Sequence, residues 1–255
     1  MTMNDTRQVS ARLMLGDCLL KMKSIESGSI DMVLADPPYG TTKCKWDSII
    51  PLDKLWDELL RVTKHNAAIV MTCTQPFTSL LVMSNLKMFK YCWVWNKITA
   101  RGHLVAKKRP MAQHEDICVF YRSAPTYNPQ MTKKDRPRLG WSVEASRTEI
   151  MGGSTTKDKY RVVRTHSYPK TIITFGMDGD NFHPTQKPVA LGEYLIRTYA
   201  NPRDTVLDFC MGSGSFGVSA INAGRNFVGI ELDEEYFEVA KTRIDRALSQ
   251  PRLFF

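Results

Sequence analysis

The sequence predicts an α/β fold built from parallel βαβ units, and three observations carry that expectation. Short apolar runs of strand length alternate with stretches of helical apolar spacing, at the intervals that βαβ units occupy. The run Met32-Val33-Leu34-Ala35 stops at two successive prolines, Pro37 and Pro38, which forbid both its continuation and a helix. Far along the chain, Val206-Leu207-Asp208 passes through Phe209-Cys210-Met211 into Gly212-Ser213-Gly214-Ser215, a glycine turn joining a strand to a helix.

Taken in order, residues 12–15 read as a strand ending in the turn Gly16-Asp17, 18–25 as a short helix and 30–35 as the second strand. Residues 52–62 place Leu52, Leu55, Trp56, Leu59, Leu60 and Val62 at helical spacing, with Pro51 near the start. A strand over 67–72, a helix over 76–86 and an aromatic-rich strand over 89–95 follow. From 96 to about 170 the periodicity weakens, one strand stands out at 117–121, and 123–170 reads mostly as loop. Regular structure resumes at Thr171-Ile172-Ile173. A helix through Ala200, a strand at 205–207, a helix at 215–223, a strand at 227–230 and a last helix at 234–248 complete the chain.

At 255 residues and 43% apolar content, the chain suits one large α/β domain or a domain with an insertion. No apolar run reaches membrane-spanning length and the start lacks signal-peptide regions, so a cytoplasmic protein is expected. Six scattered cysteines, without a Cys-x-x-Cys pair or clustering with histidine, support neither a zinc site nor a disulfide framework. The net charge of +9 is confined: residues 97–170 hold 16 Lys and Arg against 6 Asp and Glu, while the remainder holds 19 against 20. That pattern fits a polyanion-binding insertion on a neutral scaffold.

The loop at Asp36-Pro37-Pro38-Tyr39 sits at a strand's carboxyl end, where open α/β sheets put their ligands. Its carboxylate and carbonyls can accept hydrogen bonds from an amino group, and its ring can stack on a flat one. The alternative is an ordinary strand exit, with Asp36 capping a turn and Tyr39 packing. The glycine turn lacks the Gly-Lys-Ser/Thr ending of a phosphate loop. About twenty residues on, the next strand ends in Glu231, an acid placed to bind ribose hydroxyls. A packing role for the glycines is the plainer alternative.

In this combination the chain resembles the S-adenosylmethionine-dependent amino-methyltransferases of DNA, of the permuted β group in which the catalytic motif precedes the cofactor motif. The resemblance implies a Rossmann-like methyltransferase fold over residues 1–255, a mixed seven-stranded sheet with one antiparallel strand and helices on both faces. It makes Asp36, Pro37, Pro38 and Tyr39 the catalytic element. It puts Asp17 at the cofactor's adenosine end, His183, Thr185 and Lys187 of His183-Pro184-Thr185-Gln186-Lys187-Pro188 near its methionine end, and Asp208, Phe209, Cys210, Gly212, Ser213, Gly214 and Glu231 around its ribose, with Asp36 also beside it. The plainer reading of 183–188 is a helix start in which Thr185 caps and Lys187 is solvated. The family usually carries Phe two residues before the first glycine; here that position is Cys210, with Phe209 one earlier, and both are candidates to line the cofactor.

Asp at position 36 resembles the DNA adenine enzymes, whereas Ser there would resemble cytosine-N4 enzymes. The implied reaction moves a methyl group from S-adenosylmethionine to N6 of a flipped-out adenine in double-stranded DNA. No Pro-Cys dipeptide of the kind used for methylation at cytosine carbon 5 is present. The alternatives are a cytosine-N4 enzyme, a DNA-binding protein of this fold without catalysis, and an RNA methyltransferase. Residues 97–170 are expected to form an inserted target-recognition region, with Lys97, Arg101, Lys107, Lys108, Arg109, Lys133, Lys134, Arg136 and Arg138 on phosphates. Trp46 either borders the target base or packs. The resemblance also allows a homodimer, a restriction-modification role, and a bacterial or phage-infected cell as the setting; it implies no metal and no membrane.

Overall fold

The computed structural model describes residues 9–41, 47–143, 159–179 and 186–250, without side chains at 141–143 and 159–160. His183, Pro184, Thr185 and Trp46 lie outside the described residues. The chain divides into two units, 1–128 with 171–255, and 129–170.

The larger unit is organised on β2 (Ile30–Ala35), which is covered on both faces and therefore reads as an unbroken apolar run. Its residues alternate between two cores. Met32 and Leu34 join one, and Val33 and Ala35 join the other. The first core is closed by α4 (Val189–Tyr199), α5 (Ser215–Asn222) and α6 (Glu234–Ser249). The second is closed by α1 (Cys18–Met22), α2 (Leu52–Val62) and α3 (Phe77–Ser84). Leu55, Trp56, Leu59 and Val62 form the buried stripe of α2, as the helical spacing predicts. Arg61 on the same helix donates to the carbonyls of Met22 (2.6 Å) and Ile25 (2.9 Å), tying down the turn between α1 and β2.

The remaining strands are β1 (Ala11–Leu15), β3 (Thr63–Cys73), β4 (Phe89–Arg101), β5 (Ala112–Phe120), β8 (Ile172–Thr174), β9 (Thr205–Asp208) and β10 (Asn226–Glu231). They form a mixed sheet in the order β1-β10-β9-β2-β3-β5-β4-β8, with β5 antiparallel to both neighbours. The sheet has eight strands rather than the expected seven, because Ile172–Thr174 adds in parallel to the edge of β4. β2 and β9 pair in parallel through Met32–Val206 and Val33–Leu207. From β2 the chain runs on towards β3, and from β9 it runs the other way to β10. The switch point thus lies between β2 and β9, with Asp36 and Asp208 at their adjoining carboxyl ends.

Two expectations for 97–170 need correction. Residues 97–128 are not part of an insertion: they complete β4 and β5 in the main sheet, and the separate unit begins at Pro129. Nor are the described residues of 123–170 mostly loop. Within that unit β6 (Thr132–Val143) and β7 (Lys159–Ser167) pair antiparallel, with a register shift between Lys133 and Arg138 that includes Pro137. The strands escaped the periodicity because, among the described side chains, they bury no face: even Leu139 and Val163 are 63% and 65% exposed. Among the described residues no helix is long and apolar enough to cross a membrane.

Helices α4 and α5 meet at Gly192, where a Cβ would stand 2.3 Å from Ser219 Oγ and 2.8 Å from Phe216 Cδ1. Alanine is the better helix former by about 0.8–1 kcal/mol, yet overpacking costs about 1–3 kcal/mol. Gly192→Ala is therefore expected to destabilise the protein, by about 1–2 kcal/mol in a urea unfolding titration. A stabilised variant would disprove the close approach.

Candidate active site

The loop that leaves β2 is shaped by a carboxylate the sequence did not single out. Asp47 Oδ1 accepts the backbone N–H groups of Tyr39 (2.7 Å) and Gly40 (2.8 Å), and Oδ2 accepts that of Thr41 (2.9 Å). Asp47 is buried, so these charge-assisted bonds are protected from water.

Inside the loop, Asp36 is held on both oxygens. Oδ1 accepts from the Tyr39 hydroxyl (2.6 Å) and from Thr72 Oγ1, and Oδ2 accepts from Lys187 Nζ (2.6 Å). Lys187, 6% exposed, also lies 3.4 Å from Glu115 Oε2, while Lys97 holds Glu115 Oε1. The Tyr39 ring stacks on Phe77 with centroids 5.4 Å apart. Burial alone would lower the pKa of Lys187, but the Asp36 and Glu115 carboxylates outweigh it and hold the ammonium above its ordinary value. Burial, then the same two carboxylates, push the Tyr39 phenol well up, so it donates as a neutral hydroxyl.

Across the switch point, Glu231 Oε2 accepts Gly212 N–H (2.7 Å), and Oε1 accepts those of Leu232 (2.8 Å) and Asp233 (2.9 Å). The two glycines differ in purpose. Gly212 has φ +50° and nothing within 4 Å of a Cβ, so it leaves space; Gly214 has φ +78° and would set a Cβ 2.9 Å from that of Ala240, so it serves the packing of α5 on α6. Buried Ser213 is fixed by Arg243, which donates to its carbonyl (2.5 Å) and hydroxyl (3.0 Å). Asp208 is buried and accepts Cys210 N–H (3.1 Å); burial, then Asp36 and Glu231, hold its carboxyl well above the usual range. Asp17 caps α1 by accepting Leu20 N–H (3.0 Å). Phe209 is 1% exposed and belongs to the core against α1 to α3, while Cys210 is half-buried.

A cavity of about 970 Å³ joins these parts. Asp17, Asp36, Pro37, Pro38, Tyr39, Lys187, Asp208, Phe209, Cys210, Gly212, Ser213 and Glu231 all line it, as do Lys97 and Arg101; Gly214 does not. Lys107, Lys108 and Arg109 lie exposed on the turn between β4 and β5, and Lys133, Lys134, Arg136 and Arg138 lie on β6. Asp47, Thr72, Phe77 and Glu115 were missed. Thr72 and Glu115 sit inside strands, where only sheet topology reveals what they face; Asp47 sits in a short polar stretch without periodicity.

Seven acidic side chains and three basic ones line the cavity in a protein of net charge +9, so its wall favours a cationic guest. Burial, then Asp17, pushes the Cys18 thiol up to about 12, and burial, then Asp208, pushes Cys210 well up. Both stay neutral at physiological pH, so neither offers a nucleophilic thiolate. Among the described residues no group of His, Cys, Asp and Glu is placed to hold a metal ion.

The profile of the DNA methylase family matches residues 30–242. The chain belongs to that family. It is 29% identical over 255 residues to DNA adenine methyltransferase YhdJ of Escherichia coli, covering 91% of this chain and 82% of that protein. Among solved structures, the M1.HpyAVI–SAM complex matches with TM-score 0.63 at 23% identity, over 92% of this chain and 99% of that one. The cytosine-N4-specific PvuII DNA methyltransferase matches with TM-score 0.68 at 15% identity, over 94% and 93%. Both structural likenesses establish the Rossmann-like methyltransferase fold.

Asp47→Ala strips three loop N–H groups of their acceptor. Methyl transfer to unmethylated DNA is expected to fall about 100-fold, the scale of a misplacement near 1 Å at a reacting centre. Asp47→Asn keeps an oxygen for Tyr39 and Gly40 and should lose less. Equal rates for the alanine variant and the unaltered protein in a labelled-methyl incorporation assay would refute this role.

Proposed function

We propose that the enzyme transfers a methyl group from S-adenosylmethionine to the exocyclic N6 of an adenine flipped out of duplex DNA. The observation that carries the reading is Asp36, presented with Tyr39 at the switch point on the wall of an acidic cavity. YhdJ, named as an adenine enzyme, supports the choice of base.

The cavity suits the cofactor. Gly212 leaves open space at the start of the loop, Glu231 and Asp17 offer carboxylates for hydroxyl and amino groups, Phe209 and Cys210 supply an apolar wall, and the acidic lining suits a sulfonium and an α-ammonium. Gly214 acts as a packing residue and Ser213 as a buried support of the loop. His183 and Thr185 keep the cofactor-binding roles that the resemblance gives them. Lys187 was expected beside the methionine end, but its partner here is Asp36, and we assign it to that carboxylate.

Bound S-adenosylmethionine supplies an electrophilic methyl group whose transfer needs an aligned nucleophile and little else. Adenine N6 is a poor nucleophile because its lone pair is delocalised into the ring. Accepting its two N–H groups on Asp36 Oδ2 and the Pro37 carbonyl favours a tetrahedral nitrogen and stabilises the charge that develops there. Pro38 and Asp47 keep the loop from relaxing, and Tyr39, backed by Phe77, offers its ring to the flipped base. Asp36 Oδ2 is the nearest acceptor for the proton the methylated nitrogen must lose. The neutral thiols of Cys18 and Cys210 do not compete for the methyl group.

DNA would be held by Arg101, Lys107, Lys108 and Arg109 and by the hairpin residues Lys133, Lys134, Arg136 and Arg138, making the basic hairpin the target-recognition element. Lys97 acts within the wall, on Glu115, rather than on phosphate. The setting is the cytoplasm of a bacterium or phage-infected cell.

Expression in methylation-free cells followed by long-read mapping should find N6-methyladenine, and the Asp36→Ala control should lose it. Marks on cytosine would overturn the substrate, and adenine marks surviving in the control would overturn the role of Asp36. A second test concerns phosphate contacts. Joint replacement of Lys107, Lys108 and Arg109 by Ala should flatten the dependence of log affinity for duplex DNA on log salt by about 1 per lost phosphate contact. An unchanged slope would remove these residues from the interface.

A further inference from the structure

Lys187 has two carboxylates within reach and occupies one. Its Nζ stands 2.6 Å from Asp36 Oδ2 and 3.4 Å from Glu115 Oε2. That Glu115 oxygen is buried and accepts no hydrogen bond from the described residues, an uncommon state for a carboxylate oxygen. The other oxygen of Glu115 is fixed by Lys97, so Oε2 is held in place with its acceptor capacity directed at Lys187. On Asp36 the situation is reversed. Oδ1 already takes the Tyr39 and Thr72 hydroxyls, which leaves Oδ2 for an incoming amino group, and Oδ2 is where Lys187 sits.

We propose that Glu115 is a positioning residue of the methyl-transfer site, its Oε2 being the second seat to which the Lys187 ammonium moves when the target amino group takes Asp36 Oδ2. The inference rests on the function proposed above. Methyl transfer places positive charge on the target nitrogen, and a cation still seated on Asp36 would oppose it. Moving Lys187 to Glu115 frees the carboxylate without exposing the ammonium to water or leaving it unpaired.

Among the described residues the groups facing Lys187 are Asp36, the Tyr39 ring (5.8 Å) and Glu115, with Lys97 on the far side of Glu115. Removing the charge of Glu115 leaves Lys187 more firmly on Asp36 at neutral pH. It also removes one of the two carboxylates that raise the pKa of Lys187, so the proton is lost at lower pH than before. A neutral amine releases Asp36, so the variant regains rate as pH rises.

The test is steady-state methyl transfer by the full chain, with tritiated S-adenosylmethionine and genomic DNA from methylation-free bacteria. Glu115→Gln is expected to lower kcat about 10- to 100-fold at neutral pH with cofactor affinity unchanged. The deficit should shrink at alkaline pH, and adding Lys187→Met should raise kcat above that of Glu115→Gln alone. Unaltered kcat in Glu115→Gln, or a loss that neither alkali nor Lys187→Met relieves, overturns the proposal. If circular dichroism shows that Glu115→Gln does not fold, Glu115→Asp, which withdraws the carboxylate by one methylene, takes its place: a loss relieved by Lys187→Met supports the second seat, and an unrelieved loss or none overturns it. An unaltered protein that methylates no DNA overturns the proposed function and this role with it. A methylating protein indifferent to Glu115 overturns this role alone.

Discussion

The ion pair between half-buried Asp36 and buried Lys187 sets the terms for everything around it. Taking two charges out of water costs several kcal/mol per ion, and their mutual attraction offsets that only where further hydrogen bonds satisfy them. The surroundings supply those bonds: Tyr39 and Thr72 donate to Asp36, Glu115 stands beside Lys187, and Lys97 balances Glu115. The result is a line of alternating charges, Lys97, Glu115, Lys187 and Asp36, drawn from β4, β5, the approach to α4 and the end of β2. It joins residues 151 apart in the chain, so the Asp36 loop is locked to the segment that precedes α4.

The same requirement explains the uneven charge. The cavity wall is acidic although the protein is basic, and Lys97 and Lys187 within the wall face carboxylates. An acidic wall attracts a sulfonium and disfavours loose anions. Burial, and then the wall's carboxylates, raise the pKa of the neighbouring thiols and of Asp208, keeping the sulfur of Cys18 and Cys210 neutral. Basic residues on the exposed turn and the hairpin carry no such duty and are free for a polyanion.

What could be read from the sequence, and what could not, follows from how local each signal is. The strands β2, β9 and β10 are buried on both faces and announce themselves as apolar runs; the described side chains of β6 and β7 bury neither face and leave no pattern. The Asp-Pro-Pro-Tyr loop and the glycine turn are contiguous, so spacing alone reveals them. Glu115 and Thr72 act through the strand register of β5 and β3, which no short window contains. Lys97 shows the limit of counting charge: it belongs to the basic surplus by position and to an internal ion pair by geometry. Gly212 and Gly214 look equivalent in the sequence, and only their neighbours separate a cavity-side glycine from a packing one.

The permuted order of motifs is of little consequence for the chemistry, because the site requires only that the carboxyl ends of β2 and β9 lie side by side. Just two residue pairs, Met32–Val206 and Val33–Leu207, make that junction, and they connect segments separated by most of the chain. Neither half carries a complete site. The cavity beside the Asp36 loop has no opposite wall until β9 and β10 bring Gly212 and Glu231 alongside, and Asp36 lacks its counter-ion until the segment before α4 delivers Lys187. Assembly of the sheet and assembly of the site are therefore one event. The loop's own contacts, with Asp47 eight residues from Tyr39, keep its shape ready for it.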